Sequence, residues 1–201
     1  INQLVAQNVA GIAIAANDAD ALQPALTEAM DAGIKVISLD SAVNKDSRQT
    51  HIQQADPEKI GRGLIQAAYE MVDGNGGIAV LSATAQATNQ NLWIEWMKKE
   101  LEENPEKYAN TPLVKVAYGD DDPTKSTSET QALLTDSSIK VIIAPTTVGM
   151  LAAGKVLQDK QSDVKLTGLG LPSEMAPFIE DGTCPWMYLW NPVDIGYLSG
   201  Y

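Results

Sequence analysis

Cysteine, histidine and basic side chains are scarce in this sequence, and each scarcity excludes a class of function. With only Cys184 and His51, the chain can build neither an intramolecular disulfide nor a zinc site of cysteine and histidine ligands. The 14 lysines and arginines face 26 acidic residues, for a net charge of −12, whereas nucleic-acid binders concentrate positive charge. We therefore expect no nucleic-acid partner and no metal site, and we also predict no cofactor.

Long apolar runs are absent as well. No run approaches the roughly 20 consecutive apolar residues that a membrane-spanning helix requires. The chain has 201 residues, 44% of them hydrophobic, which is enough to bury a core. Residues 1–5 and 194–198 both have the pattern of a helix without its natural start or end, which predicts a chain truncated at both ends.

Short apolar runs alternate with segments of helical periodicity along the whole chain. Strands are predicted at 9–16, 35–40, 78–81, 113–118, 141–144, 165–169 and 186–190, and helices at 18–32, 57–72, 89–102, 124–134, 148–157 and 173–179. Short apolar strands that alternate with helices indicate parallel sheets covered on both faces. The predicted fold class is α/β with doubly wound parallel sheets.

Polar side chains follow the predicted strands, at the ends where such sheets bind ligands. The candidate ligand-binding residues are Asp40, Asn89, Gln90, Pro145, Thr146, Thr147, Trp190 and Asn191. Sugar hydroxyls both donate and accept hydrogen bonds, which carboxylate, amide and hydroxyl groups can satisfy, and tryptophan offers a flat apolar surface to a sugar ring. No catalytic set of Ser, His and Asp is visible, so no catalytic residue is predicted.

Several of these residues also have simpler interpretations. A strand-end aspartate such as Asp40 often caps a turn, and Asn89 is a favoured residue type at a helix N-cap. Thr146 and Thr147 could serve only to begin a helix, and Trp190 could be packing where the chain crosses between lobes. The sequence leaves both interpretations of each residue open.

Three further features are predicted to be structural. Residues 120–122 are all aspartate, but their spacing does not match an EF-hand loop, and the following Pro123 indicates the solvated start of a helix. His51 is predicted to be a structural hydrogen-bonding residue, and Cys184 is predicted to be buried. None of these enters the predicted site.

Four segments in order along the chain carry a family resemblance: GIKVISLDS (33–41), NQNLW (89–93), IAP (143–145) and LWNPVDIGY (189–197). As an ordered set they resemble the sugar-binding solute receptors of ABC transporters, which have the type I periplasmic-binding-protein fold. The similarity is greatest to the rhamnose and autoinducer-2 receptor branch, and it runs over essentially the whole chain.

The resemblance implies two hinged lobes that hold a sugar between them and a membrane permease as partner. Residues 1–53 would form part of the N-terminal lobe, 54–188 the C-terminal lobe, and 189–201 the crossover back to the N-terminal lobe. It implies a monomer that is not an enzyme. Its expected location is the periplasm, or the outer surface of a membrane as an anchored lipoprotein.

The resemblance also assigns roles residue by residue. Asp40 matches the first-lobe carboxylate that accepts from ligand hydroxyls, Gln90 a second-lobe amide, and Pro145 a strand-end position that lines the pocket. Autoinducer-2 receptors have Asp-Gln in place of Asn89-Gln90, and Pro-x-Ala in place of residues 145–147. These differences favour rhamnose or a related neutral sugar. The alternatives are an autoinducer-2 receptor, the effector-sensing domain of a LacI-type transcription regulator, and a sugar-modifying enzyme.

Overall fold

Helices and parallel strands alternate along the chain in the computed structural model, which describes all 201 residues. The strands are β1 (Gly11–Ile14), β2 (Lys35–Leu39), β3 (Thr50–Ile52), β4 (Gly77–Ser82), β5 (Leu113–Tyr118), β6 (Ile139–Ala144) and β7 (Lys165–Gly168). The helices are α1 (Asn2–Ala6), α2 (Gln23–Asp31), α3 (Pro57–Met71), α4 (Thr88–Glu103), α5 (Pro123–Leu133), α6 (Thr147–Asp159), α7 (Pro172–Glu180) and α8 (Pro192–Gly200).

Contacts between residues divide the chain into two compact units. The first unit comprises Ile1–Asp56, Gln86–Asn91 and Trp190–Tyr201, and the second comprises Pro57–Ala85 and Leu92–Leu189. The two lobes and their boundaries at residues 53 and 188 stay a prediction. None of the helices has the length and apolar character of a membrane-spanning segment.

The first unit is built on a three-stranded parallel sheet in the order β1-β2-β3. Its core forms where α2 packs against β2, and it contains Ile12, Ala16, Leu26, Ala29, Ile34, Val36 and Val43. Helix α8 packs against β2 and β3. Because all three strands run parallel, their carboxyl ends meet at one edge of the sheet.

The second unit is built on a four-stranded parallel sheet in the order β5-β4-β6-β7. Every residue of the central strand β4 is buried, as a parallel strand covered on both faces requires. The core includes Leu81, Ile142, Met150, Leu166 and Cys184, all fully buried. The predicted α/β fold class with parallel sheets is therefore confirmed.

Two strand predictions need correction. Strand β3 was not predicted, because Thr50 and His51 interrupt any apolar run and only pairing with β2 makes them a strand. The strand predicted at 186–190 is wrong, since the segment forms only a single bridge between Leu169 and Tyr188. Pairing cannot extend upstream because Pro185 has no N–H and the N–H of Cys184 donates to Phe178 in α7.

Candidate functional site

Asp40 lies immediately beyond the carboxyl end of β2 in the first unit. Its backbone is in the left-handed region, with φ of +56°, which aspartate tolerates better than most residues. Its N–H donates to the carbonyl of Ile52, the last residue of the adjacent strand β3, at 3.1 Å. The backbone is therefore fixed by the sheet, and the carboxylate is presented at the edge where parallel sheets bind ligands.

The Asp40 carboxylate is half-buried and has few donors around it. The side-chain amide of Asn89 donates to its Oδ1 at 3.4 Å, a long hydrogen bond. Burial raises the pKa of Asp40, and the hydrogen bond from Asn89 and the charge of a protonated His51 lower it by less. A carboxylate so placed has acceptor capacity left for donors from a ligand.

The start of α4 holds Asn89 in reach of Asp40. The hydroxyl of Thr88 donates to the carbonyl of Ala42 at 3.3 Å and lies 3.4 Å from the hydroxyl of Ser41. Through these contacts the first turn of the helix is attached to the loop that follows β2. Residues 49 positions apart in the chain therefore share one polar cluster.

Gln90 is almost entirely buried, at 8% exposure, beside Asn89. Its backbone N–H donates to the Asn89 side-chain oxygen at 2.8 Å, which leaves the Asn89 amide group free to point at Asp40. Asn89 is not the N-cap, because α4 begins at Thr88, but it lies in the first turn, where its oxygen accepts from the N–H of Gln90. Its side-chain nitrogen donates to the Asp40 carboxylate, so Asn89 belongs both to the helix start and to the polar cluster.

Trp190 and Asn191 belong to the same unit but have different surroundings. Asn191 is exposed, and its side-chain oxygen accepts from the N–H of Val193 at 3.0 Å as the N-cap of α8. Pro192 at the first helical position completes a favourable helix start. Trp190 is partly buried. Ligand contact by either residue stays a prediction.

Pro145, Thr146 and Thr147 lie in the second unit, at the carboxyl end of β6. Pro145 and Thr146 are buried, while Thr147 is exposed. Thr146 occupies the N-cap of α6, but its hydroxyl makes no capping bond and donates instead to the carboxylate of Asp121. The hydroxyl therefore binds a carboxylate in the loop after β5, which is separated from β6 by β4, and Thr146 does more than begin a helix.

The three aspartates of the acidic run 120–122 have separate roles, and Asp120 forms an ion pair with Lys125. The carboxylate of Asp122 accepts from the N–H of Lys125 at 2.7 Å, so the predicted helix start is confirmed. Asp121 instead follows β5 in a left-handed conformation, with φ of +52°, and accepts from Thr146. For Asp121 the prediction of a solvated cap was therefore wrong, because only the side-by-side placement of β5, β4 and β6 brings it to Thr146.

His51 is the main residue near Asp40 that the sequence interpretation left out. It lies on β3, opposite Ser38 of β2, and its Nδ1 is 2.8 Å from the Ser38 hydroxyl. Burial lowers the pKa of His51, the charge of Arg48 lowers it further, and Asp40 acts in the opposite direction by a smaller amount. Since β3 lacks an apolar pattern, no sequence signal placed His51 beside Ser38.

The first unit therefore brings together Asp40, Asn89 and Gln90 at one edge of a parallel α/β sheet, with His51 on the adjacent strand β3. The second unit holds Pro145 and Thr146 at the corresponding edge of its own sheet. This is the architecture of a doubly wound ligand-binding protein. The family described as periplasmic binding protein domain matches residues 1–201, and the chain belongs to that family.

Solved structures of related proteins support this assignment to the family. An ABC transporter solute binding protein from Clostridium phytofermentas with bound L-rhamnose is 51% identical, with a TM-score of 0.94, over 100% of this chain and 64% of that one. A sugar ABC transporter from Actinomyces odontolyticus is 41% identical, with a TM-score of 0.73, over 100% of this chain and 65% of that one.

A third relative, LsrB from Clostridium saccharobutylicum in complex with AI-2, is 25% identical, with a TM-score of 0.88, over 100% of this chain and 66% of that one. The chain thus spans slightly less than two thirds of the length of these relatives. The predicted resemblance to the rhamnose and autoinducer-2 branch of ABC-transporter receptors is confirmed at the level of the family.

Proposed function

We propose that the protein is a sugar-binding receptor of an ABC importer, with L-rhamnose or a related neutral sugar as ligand. The observation that carries this proposal is the 51% identity, over the whole chain, to a solute binding protein with bound L-rhamnose. The geometry supports it, because Asp40 presents a half-buried carboxylate with free acceptor capacity next to the amide of Asn89, and the buried Gln90 adjoins Asn89 in the chain.

The proposed mechanism is reversible binding without a chemical step. Asp40 accepts from ligand hydroxyls, Asn89 and Gln90 contribute amide groups, and Trp190 offers a ring face. Asn191 of the first unit, and Pro145, Thr146 and Thr147 of the second, are further proposed contacts. Ligand binding shifts the protein between two states, provided the ligand is held more tightly in one of them.

The biological setting follows from the same proposal. The receptor delivers its sugar to a membrane permease of an ABC transporter and acts as a monomer. It works in the periplasm or as a lipoprotein anchored at the outer surface of a membrane. The two compact units are proposed to be the two lobes.

A second candidate ligand is autoinducer-2. The observation in its favour is the match to LsrB with AI-2, which extends over the full chain. Against it stand Asn89, where the resemblance implies aspartate, and Thr147, where it implies alanine. Rhamnose is therefore the better-supported ligand.

Isothermal titration calorimetry of the purified protein tests the proposal with a panel of L-rhamnose, ribose, galactose and autoinducer-2. We expect saturable binding of L-rhamnose with a Kd of about 1 μM, equivalent to about −8 kcal/mol. The sugar recovered afterwards should be chemically unchanged. Failure to bind any member of the panel would contradict the receptor function, and conversion of the sugar would establish an enzyme instead.

A further inference from the structure

A chain of hydrogen bonds runs from Arg48 to Gln54 through the first unit. Its contacts are Arg48 Nη1 to Ser38 Oγ at 3.0 Å, Ser38 Oγ to His51 Nδ1 at 2.8 Å, His51 Nε2 to Gln53 Oε1 at 3.1 Å, and Gln53 Nε2 to Gln54 Oε1 at 2.8 Å. It links β2, β3 and the segment that follows β3. None of its members was among the residues predicted to bind ligand.

The direction of the hydrogen bonds is fixed from both ends. A guanidinium can only donate, so Ser38 Oγ accepts from Arg48. Gln53 Nε2 donates to Gln54, so Gln53 Oε1 faces His51 and can only accept. His51 therefore carries its proton on Nε2, and in the neutral ring Nδ1 accepts from the Ser38 hydroxyl. Burial and the nearby positive charge of Arg48 both lower the pKa of His51, which keeps this neutral form dominant at neutral pH.

This series of hydrogen bonds ends at the side-chain amide of Gln54, which has no acceptor within the protein. Gln53 donates to Gln54 Oε1. The Gln54 Nε2 group is then the last donor in the series of hydrogen bonds. Gln54 is only 8% exposed, and its Nε2 is buried without a hydrogen-bond partner. Buried amide groups are nearly always paired, since an unpaired one costs stability.

Gln54 also lies at the same edge of the sheet as Asp40. Strands β2 and β3 are parallel, with Leu39 opposite Ile52, and the N–H of Asp40 donates to the Ile52 carbonyl. Asp40 is therefore the first residue after β2, and Gln54 is the second residue after the neighbouring strand β3. That edge is where open α/β sheets bind ligands.

We propose that Gln54 is a further ligand-binding residue, whose Nε2 donates to an oxygen of the bound sugar. The positioning residues are Arg48, Ser38, His51 and Gln53. Their hydrogen bonds orient the Gln54 side chain so that its nitrogen, and not its oxygen, is available to the ligand. A sugar hydroxyl both donates and accepts, so an acceptor at Asp40 and a donor at Gln54 are complementary to it. The inference rests on the proposed sugar-binding function.

The substitution Gln54→Met tests this inference, because methionine has a similar length and cannot donate. We expect the Kd for L-rhamnose to rise about tenfold, as for loss of one hydrogen bond that leaves a polar partner unsatisfied. The melting temperature should change little, because the unpaired amide is removed while the exposed Gln53 amide, which loses its acceptor, can donate to water. Gln158→Met is the matched control, since Gln158 is an exposed amide on α6 that donates to Asp181.

An unchanged affinity of Gln54→Met for L-rhamnose would overturn the inference and remove Gln54 from the site. If the melting temperature falls while the affinity stays unchanged, the role of Gln54 is purely structural. If the unsubstituted protein binds no sugar of the panel, the proposed function fails and this inference fails with it. If it binds and Gln54→Met binds equally well, only this inference fails.

The positioning role has its own spectroscopic test. Because His51 is the only histidine in the chain, ¹⁵N NMR of the imidazole gives one unambiguous pair of signals. We expect the neutral tautomer with the proton on Nε2, and loss of that preference in Ser38→Ala together with weaker L-rhamnose binding. A proton on Nδ1 in the unsubstituted protein would reverse the proposed direction and overturn the positioning role.

Discussion

The carboxylate of Asp40 is held in an unfavourable state before any ligand binds. Burial raises its pKa, so the ionised form that prevails at neutral pH is less stable in the folded protein than in the unfolded chain. A raised carboxyl pKa contributes stability only at low pH, and that contribution is lost as the pH rises through the folded pKa. A ligand that donates to the carboxylate would offset this cost.

Replacing Asp40 by asparagine should weaken the affinity for L-rhamnose without lowering the thermal stability of the protein. Asparagine tolerates the left-handed backbone and can still accept from Asn89, but it lacks the charge. We expect unchanged or higher thermal stability at pH 7. The Kd for L-rhamnose should rise about ten- to hundredfold, since a hydrogen bond to a charged group contributes about 1.5–3 kcal/mol.

Calorimetry and thermal unfolding of the same samples measure both effects of Asp40→Asn. Asp73→Asn is the matched control, because Asp73 also has a left-handed backbone, with φ of +49°, but is exposed. Its affinity for L-rhamnose should equal that of the unsubstituted protein. Unchanged affinity in Asp40→Asn would exclude Asp40 from the site.

At the scale of elements, α3 and α4 approach each other so closely that one position admits only glycine. A Cβ on Gly61 would lie 2.5 Å from the Trp93 carbonyl and 2.5 Å from the Trp96 Cβ. Arg62 beside it forms ion pairs of 2.7–2.8 Å with Glu58, Glu100 and Glu103. The two helices are thus fixed against each other by backbone contact and by charge.

Alanine at two glycines of α3 should therefore have opposite effects. Gly61→Ala should lower the free energy of unfolding by about 1–3 kcal/mol, because the added methyl group meets backbone that cannot move away easily. Gly63→Ala should raise it by about 0.5–1 kcal/mol, since nothing lies near its Cβ and alanine favours helix. Urea denaturation measures both, and equal effects at the two positions would contradict the close approach.

At the scale of the whole molecule, each compact unit has its own hydrophobic core. The core of the first includes Leu26 and Val36, and that of the second includes Cys184. Cys184 is fully buried, and burial raises the pKa of its thiol to about 11. The single cysteine therefore reports on the integrity of the second unit.

The thiol of Cys184 should not react with a thiol reagent at pH 8 while the protein is folded, because it is both inaccessible and protonated. In denaturant it should react completely, with one equivalent per chain. Absorbance of the released chromophore over time measures the rate. Rapid stoichiometric reaction under native conditions would show that the core around Cys184 opens readily.

The elements with strong apolar periodicity were predictable from the sequence. Helix α3 was predicted at 57–72 and is observed at Pro57–Met71, and β5 was predicted at its observed limits. The polar strand β3 was missed, and the strand at 186–190 was predicted where only a bridge forms. In both cases pairing with a neighbouring strand decides the outcome, and pairing is not a local property of the chain.

The sequence by itself determined the alternation of strands and helices, the parallel α/β class and the identity of Asp40, Asn89 and Gln90 as candidates. Periodicity and residue chemistry suffice for these because each depends on neighbours within a few positions. Only the tertiary structure showed that Asn89 contacts Asp40, and that the series of hydrogen bonds from Arg48 ends at Gln54. Such contacts depend on strand order and register, which join residues far apart in the chain.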